Sequence, residues 1–195
     1  MLYILRYAAI QTTRNFFKKF MHHSVACPMI HFQISHDTKI LFVGINPHHG
    51  SYRRGVPFSN NKMFWYLLSD AGLIDESREE LKDDTKLKEV YLTKFTKLYH
   101  YGLINMIDRP SRNTADLKQG EELFGRARLL DTIDEYKPQI VCFVGKITYQ
   151  KFIGLRSCNH GWQPDIKSSK IYVMHTPLRG LAAIRIEELK ELKAR

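Results

Sequence analysis

Short runs of β-branched and aromatic residues alternate with longer amphipathic segments along most of this chain. Four runs are typical of buried strands, at residues 39–44, 103–107, 139–144 and 170–174. Between them, apolar residues recur at helical spacing, at residues 63–73, 121–136, 146–153 and 181–193. Because strands that alternate with helices favour a parallel sheet between two helical layers, we predict an α/β fold. We expect a three-layer α/β/α sandwich with a short four-stranded, mainly parallel sheet.

The first 36 residues carry basic side chains but no Asp or Glu. Such a segment is typical of an organelle-targeting peptide, of a basic arm that lies along phosphates, or of an appended helix, and the sequence leaves these alternatives open. The periodic pattern begins near Lys39. We therefore divide the chain into an N-terminal extension, residues 1–36, and one domain, residues 37–195, which is a length typical of single domains.

The charge balance favours an anionic partner. The 195 residues include 30 Lys and Arg against 20 Asp and Glu, a net charge of +10, which attracts nucleic acid or an anionic membrane surface. No apolar run approaches the roughly 20 residues of a membrane span. The three cysteines, Cys27, Cys142 and Cys158, lack a Cys-x-x-Cys spacing, which argues against a disulfide framework or a four-thiolate metal cluster. We expect an intracellular protein without membrane contact, cytoplasmic in a prokaryote and nuclear or organellar in a eukaryote.

Three loops that follow predicted strands hold the candidate functional residues, because ligands of open parallel sheets bind beyond the carboxyl ends of the strands. The first loop, residues 44–59, opens with Gly-Ile-Asn-Pro and ends with Val-Pro-Phe-Ser. The second loop follows residue 107. The third, residues 175–180, reads His-Thr-Pro-Leu-Arg-Gly. We expect these loops to meet at one edge of the sheet.

These motifs occur in an order that resembles the mismatch-specific uracil and thymine DNA glycosylases, a branch of the uracil-DNA glycosylase superfamily. The resemblance covers about residues 38–182 and rests on the following segments: Gly-Ile-Asn-Pro at 44–47, Pro57-Phe58, Phe64-Trp65, Asn-Met-Ile-Asp-Arg at 105–109, Gly125-Arg126, Tyr-Lys-Pro-Gln at 136–139, Gly145-Lys146, Gly-Trp-Gln-Pro at 161–164 and Tyr-Val-Met at 172–174. It implies a cofactor-free, monomeric enzyme of base excision repair. Such an enzyme flips a deaminated or mismatched base out of duplex or single-stranded DNA and hydrolyses its bond to the sugar.

Hydrolysis of an N-glycosidic bond requires a positioned water and stabilisation of the negative charge that develops on the departing base. The resemblance implies that Asn46 positions that water, and its amide oxygen can accept the hydrogen bond that this requires. The alternative is that Asn46 caps the turn that follows it. The resemblance also implies that the ring of Phe58 stacks on the extruded base. The alternative for Phe58 is a ring that packs beneath its loop.

Three further residues are candidates for contact with the base. We expect the main-chain amide of Ile45 to hydrogen-bond the base edge. The side chain of Asn105 contacts the base or the DNA, or else makes structural hydrogen bonds at the end of the sheet. We assign His175 to base contact or catalysis, and a strand-end or phosphate contact is its alternative.

The third loop departs from the forms usual in the family. Superfamily members place here a short polar loop that pinches phosphates and drives one side chain into the gap left by the flipped nucleotide. We assign Thr176 and Pro177 to DNA contact and Leu178 or Arg179 to the wedge. Leu178 would fill the gap by burial, whereas Arg179 could also pair with the orphaned base, so the preference for the opposite base stays open.

The first loop also departs from the family, since His48 and His49 stand where Gly-Leu is usual. Arg53 and Arg54 would repel a cation and no acidic or cysteine ligand is near in sequence, so we expect no metal. We expect these residues to line the base pocket or to contact phosphates of the DNA. Uracil, thymine, hypoxanthine and other deaminated or alkylated bases stay open as substrates. Apart from Lys62, the loops hold no candidate Schiff-base lysine, which favours a monofunctional hydrolase without strand cleavage.

Two other classes of protein stay compatible with these residues. A catalytically weak relative that recognises damage and recruits other proteins would bind DNA without turnover. A nucleoside- or RNA-directed hydrolase on the same sheet would prefer free nucleosides to duplex DNA.

Overall fold

The computed structural model describes residues 30–195, so the predictions made for residues 1–29 lie outside the described part of the chain. The last residues of the N-terminal extension pack against the domain. Ile30 is buried, and Gln33 pairs with Leu103 as an isolated antiparallel bridge. The division of the chain into extension and domain stays a prediction.

A sheet of five strands forms the centre of the described fold, in the order β2-β1-β3-β5-β4. The strands are β1 (Ile40–Gly44), β2 (Tyr101–Asn105), β3 (Ile140–Val144), β4 (Gly161–Ile166) and β5 (Ser169–Met174). β1 pairs in parallel with β2 and β3, and β3 pairs in parallel with β5. β4 pairs antiparallel with β5 at the edge of the sheet.

This arrangement confirms the predicted α/β fold with a mainly parallel sheet, and it adds one strand to the four that we expected. The added strand is β4, which carries the exposed residues Pro164 and Asp165 and lacks an apolar run. Proline has no N–H to donate and is therefore confined to sheet edges, which is where β4 lies. β2 begins and ends two residues earlier than expected, because Tyr101 and Gly102 also pair with β1 and the strand ends at Asn105.

Seven α-helices are present in residues 30–195: α1 (His49–Arg54), α2 (Met63–Asp70), α3 (Arg78–Lys82), α4 (Asp84–Glu89), α5 (Glu122–Tyr136), α6 (Lys146–Ile153) and α7 (Ala182–Lys193). A π-helical turn, Val90–Lys94, follows α4, and a 3-10 turn, Thr114–Asp116, precedes α5. The sequence predicted α2, α5, α6 and α7 but not α1, whose only apolar side chain is Tyr52. No helix in the described range is long and apolar enough to cross a membrane.

The hydrophobic core lies on both faces of the sheet. On one face, Phe42 of β1 packs in a cluster with Trp65 of α2 and Leu189 of α7. On the other face, Leu41 of β1 packs in a cluster with Leu130 of α5. Successive strand residues point to opposite faces, so the helical layers on the two sides bury alternate residues of each strand. Trp65 is fully buried, so its ring belongs to the core.

The carboxyl ends of the four parallel strands lie at the same edge of the sheet. β1, β2, β3 and β5 end at Gly44, Asn105, Val144 and Met174. The loops that follow these ends carry the candidate functional residues, as the sequence predicts.

Candidate active site

The side-chain amide of Asn46, in the loop after β1, is held in one orientation. Its Nδ2 donates to the hydroxyl of Ser111 over 2.8 Å and lies 3.2 and 3.3 Å from the carbonyl oxygens of Pro47 and Arg109. The Ser111 hydroxyl donates its own proton to the carbonyl of Asn113 over 2.7 Å, so it acts as an acceptor toward Asn46. Three acceptors on one side of the amide identify its nitrogen. The oxygen Oδ1 makes no hydrogen bond to any residue of the described range.

The loop after β2, which supplies two of these acceptors, is itself anchored. Arg109 donates to both carboxylate oxygens of Glu121, over 2.6 and 2.8 Å, at the start of α5. This contact lowers the pKa of Glu121 to about 2, so the ion pair is present at neutral pH. The main chains of the two loops are also joined, because the Ser111 N–H donates to the Pro47 carbonyl over 3.0 Å. The loops that follow two neighbouring strands, β1 and β2, therefore fix the orientation of the Asn46 side chain.

Phe58 and Asn105 meet over Gly44, the last residue of β1. A Cβ atom at Gly44 would lie 2.2 Å from Oδ1 of Asn105 and 3.0 Å from Cζ of Phe58, so this contact requires glycine. Asn105 is 2% exposed. Its carbonyl accepts a hydrogen bond from Arg128, but its side-chain amide has no hydrogen-bond partner among residues 30–195. An amide that makes no hydrogen bond within the protein keeps its donors and its acceptor available for a ligand.

The ring of Phe58 is held by a strained and anchored turn. Its φ is +56°, a left-handed conformation that bulky residues rarely adopt and that is typical of functional sites. The carbonyl of the preceding Pro57 accepts a hydrogen bond from Nε1 of Trp65 over 2.8 Å. The half-buried ring leans on Phe64, with 4.6 Å between ring centroids. Phe58 therefore packs against the core on one side and keeps part of its surface open.

Two adjacent main-chain N–H groups, those of Ile45 and Asn46, make no hydrogen bond within the described residues. The carbonyls of this segment are paired, because Met106 donates to Gly44 and Ile107 donates to Ile45, each over 2.9 Å. Open donors beside the Asn46 side chain can stabilise negative charge on a ligand.

His175, at the end of β5, contacts Glu188 of α7 at two points. Nδ1 of the imidazole lies 2.7 Å from Oε1 of Glu188, and the main-chain N–H of His175 donates to Oε2 over 3.0 Å. The ring also stacks on His160, with 3.4 Å between centroids. Burial, with smaller effects from His175 and Lys146, lowers the pKa of His160 to about 4. β3 separates the loop of His175 from that of Asn46 in the sheet.

The third loop projects from the edge of the sheet. Leu178 and Leu181 are 64% and 72% exposed, and Arg179 is exposed between them. Below the loop, the buried guanidinium of Arg185 donates to the carbonyls of Arg179 and Gly180. Arg185 of α7 therefore holds the main chain at the tip of the loop, and the leucine side chains of the loop face outward.

Thr176 and Pro177 connect this loop to the rest of the sheet edge. Thr176 is exposed, and a Cβ atom at Gly145, after β3, would lie 2.5 Å from its Cγ2. Gly145 has a φ of +91°, which a residue with a side chain rarely adopts. Pro177 is buried, so Thr176 is the more accessible of the two for the predicted DNA contact.

The basic residues of the first loop lie in different environments. Arg53 is exposed and has no hydrogen bond or ion pair with residues 30–195. Arg54 pairs with Asp84 over 2.8 Å, and Asp84 also binds Lys62 over 2.7 Å. Nδ1 of His48 accepts a main-chain N–H and caps α1. Arg53 is therefore open to a phosphate, whereas the charge of Arg54 is already paired.

The structure groups the predicted site residues at one edge of the sheet. At the ends of β1 and β2 lie Ile45, Asn46, Phe58 and Asn105, and further along the edge lie His175, Thr176, Pro177, Leu178 and Arg179. Arg53 and Arg54 belong to α1, which follows the Asn46 loop. Among the residues described, no three His, Cys, Asp or Glu side chains are placed to hold a metal ion.

Sequence reasoning missed three residues that support these groups: Ser111, Arg185 and Glu188. Arg185 and Glu188 are buried on α7 together with Leu189 and Leu192. All four residues share one helical spacing, so the sequence offered a signal that these two charged residues are buried. Ser111 carried no such signal, because its contact with Asn46 spans 65 residues of the chain.

The chain matches the uracil DNA glycosylase superfamily over residues 31–186. Because the match covers most of the chain, the protein belongs to the uracil DNA glycosylase superfamily. Members of this superfamily bind DNA. Membership supports a hydrolytic DNA glycosylase activity and a role in DNA repair.

Proposed function

We propose that this protein is a monofunctional DNA glycosylase that flips a deaminated or mismatched base out of DNA and removes it by hydrolysis. The observation that carries the proposal is the amide of Asn46, whose Nδ2 is held by three acceptors while Oδ1 is open. An oxygen held in this way can accept a hydrogen bond from a water and direct that water at the sugar. An amide is too weak a base to remove the proton early, so the bond to the base breaks ahead of the attack.

Departure of the base leaves an oxocarbenium-like sugar and an anionic base. The open N–H groups of Ile45 and Asn46 and the buried amide of Asn105 are the donors available to that anion. The ring of Phe58 offers a face on which any base can stack. The water gives its hydroxyl to the sugar, and its proton ends on the departed base.

The contacts of Lys62 support hydrolysis over a Schiff-base mechanism. Its Nζ binds Asp84 over 2.7 Å and also donates to the carbonyl of Lys82. A lysine nucleophile has to be neutral and free to attack, whereas this ammonium is held by a carboxylate. We therefore expect the product to be an abasic site, with no strand cleavage by the protein itself.

The side chain of Asn105 supports a deaminated base as the substrate. Uracil and hypoxanthine each present a carbonyl oxygen beside a ring N–H, and an amide can pair with both groups at once. Thymine presents the same edge with an additional methyl group. We propose uracil as the first substrate and thymine and hypoxanthine as further candidates. The order of motifs shared with the mismatch-specific branch supports the same choice.

The test is a panel of labelled duplexes and single strands that carry uracil, thymine opposite guanine, hypoxanthine or no lesion. Alkaline cleavage after incubation reveals abasic sites. We expect base release from the uracil duplex, no release from undamaged DNA, and no strand break before alkali. Binding of damaged DNA without release would support the damage-recognition alternative, and release from free nucleosides alone would support a nucleoside hydrolase. Either result contradicts the proposal.

A further inference from the structure

Glu188 of α7 is a buried acid that faces the end of β5. Its side chain is 9% exposed, and both of its oxygens contact His175. Oε1 lies 2.7 Å from Nδ1 of the ring, and Oε2 accepts the main-chain N–H over 3.0 Å. A buried carboxylate is destabilising unless it is well hydrogen-bonded. Here both contacts hold the residue that opens the third loop.

This carboxylate determines which ring nitrogen of His175 is available. Nδ1 is engaged by Glu188, whereas Nε2 has no hydrogen-bond partner in residues 30–195, and the side chain is 36% exposed. The partner of one imidazole nitrogen fixes the position of the proton. With a carboxylate at Nδ1, the proton lies on Nδ1, and Nε2 is the atom left to contact a ligand.

The titratable groups around this pair mostly favour their neutral forms. They are Cys142 of β3, Tyr172 of β5, Lys146 of α6, Glu191 of α7 and His160 before β4. Burial, and to a smaller extent Glu188, raises the pKa of the Cys142 thiol and of the Tyr172 phenol. Burial lowers the pKa of His160 to about 4. Near neutral pH these three groups are uncharged, so they place no further charge beside the contact between Glu188 and His175.

We propose that Glu188 is a positioning residue for the glycosylase reaction. It fixes the ring of His175 so that Nε2 faces the extruded nucleotide at the carboxyl edge of the sheet. The inference rests on the proposed function, and Glu188 acts through His175 without touching the nucleotide. A ring that is oriented before binding loses little further freedom when the substrate arrives, which is how positioned groups lower a reaction barrier.

A double-mutant cycle tests this role. Glu188→Gln replaces one accepting oxygen by a donor at nearly the same volume. The matched control is Glu187→Gln, because Glu187 is an exposed acid of the same helix and binds Lys190. We expect Glu188→Gln to slow single-turnover release of uracil by roughly 10–100-fold, in analogy to the loss of a hydrogen-bond partner that orients a metal-bound imidazole. Glu187→Gln should leave the rate unchanged. In a His175→Ala background, Glu188→Gln should have no further effect.

An equal effect of Glu188→Gln in both backgrounds, or no effect in the wild-type background, would overturn the inference. Glu188→Asp serves as a second variant, because it keeps the charge on a shorter side chain and should retain more of the rate than Glu188→Gln. A rate for Glu188→Asp below that of Glu188→Gln would also overturn it.

Nitrogen-15 spectra of the imidazole rings provide a readout that needs no turnover. In the wild type we expect the proton of neutral His175 on Nδ1. In Glu188→Gln we expect part of it to move to Nε2, with a changed pH dependence of the ring signals. Unchanged signals would overturn the inference even in an active enzyme. A wild-type protein that releases no base from any DNA would contradict the proposed function, and the ring signals would still decide the role of Glu188.

Discussion

Asn46 and Ser111 are 65 residues apart in the chain, yet Nδ2 of Asn46 donates to the Ser111 hydroxyl over 2.8 Å. The bond joins the loop after β1 to the loop after β2. The last residues of these two strands, Gly44 and Asn105, are paired in the sheet. The Asn46–Ser111 bond is one of three contacts that leave the amide oxygen of Asn46 open. Positioning of the water in the proposed reaction therefore depends on a residue of the loop that follows the neighbouring strand β2.

Replacing Ser111 by Ala should loosen the Asn46 amide. We expect single-turnover base release to fall roughly 2–10-fold, since one hydrogen bond contributes about 0.5–1.5 kcal/mol. Ser169→Ala is the control, because Ser169 is also buried but donates to the Pro138 carbonyl, away from the candidate site. Equal rate losses in both variants would show that the effect of Ser111 is one of general stability.

Removing the ring of Phe58 should weaken capture of the extruded base. We expect Phe58→Ala and Phe58→Gly each to lose about 1–3 kcal/mol of binding to a duplex with an uncleavable uracil analogue, the usual effect of losing a stacking platform. Because φ is +56° at this position, Phe58→Gly should unfold at a higher temperature than Phe58→Ala. Variants that change the unfolding temperature but not the binding would assign Phe58 to the core.

Arg53 and Arg54 should differ in their contribution to DNA affinity. Arg53 has no partner in the described range, whereas Arg54 is paired with Asp84. We expect Arg53→Ala to weaken binding of undamaged duplex and to reduce the slope of log affinity against log salt by about 0.9, the value for one phosphate contact. Arg54→Ala should change the slope by less. Identical slopes for Arg53→Ala and wild type would exclude Arg53 from the phosphate contacts.

The exposed tip of the third loop should matter only in duplex DNA. A side chain that fills the gap left by a flipped nucleotide has no role on a single strand. We therefore expect Leu178→Ala and Arg179→Ala to slow base release from duplex much more than from single strands. Only Arg179→Ala should change the ranking of opposite bases. Equal losses on both substrates would mean that this loop shapes the base pocket.

The parallel strands and the first loop could be predicted from the sequence because their signals are local. Buried apolar runs identify four strands, and Asn46 comes two residues after β1 ends at Gly44. β4 was missed because an edge strand with Pro164 and exposed polar residues has no apolar run. The left-handed backbone of Phe58 also has no local signal, since the residue is neither Gly nor Asn.

Contacts between distant segments could not be predicted. Ser111 reaches Asn46 only because β1 and β2 are neighbours in the sheet. Arg185 and Glu188 share the helical spacing of the buried apolar residues of α7, which signals their burial but not the groups that they contact. Their partners are the carbonyls of the third loop and His175, which become available only once α7 packs beside β5.

The most direct test of the central claim is single-turnover release of uracil by Asn46→Ala. Loss of the amide oxygen removes water positioning but no phosphate contact, so we predict a rate reduced on the order of 100-fold or more. Binding of the same duplex should stay within a few-fold of the wild type, and Asn60→Ala, at an exposed residue that follows the first loop, should retain the wild-type rate. A rate for Asn46→Ala near that of the wild type would contradict the assignment of Asn46 as the residue that positions the water.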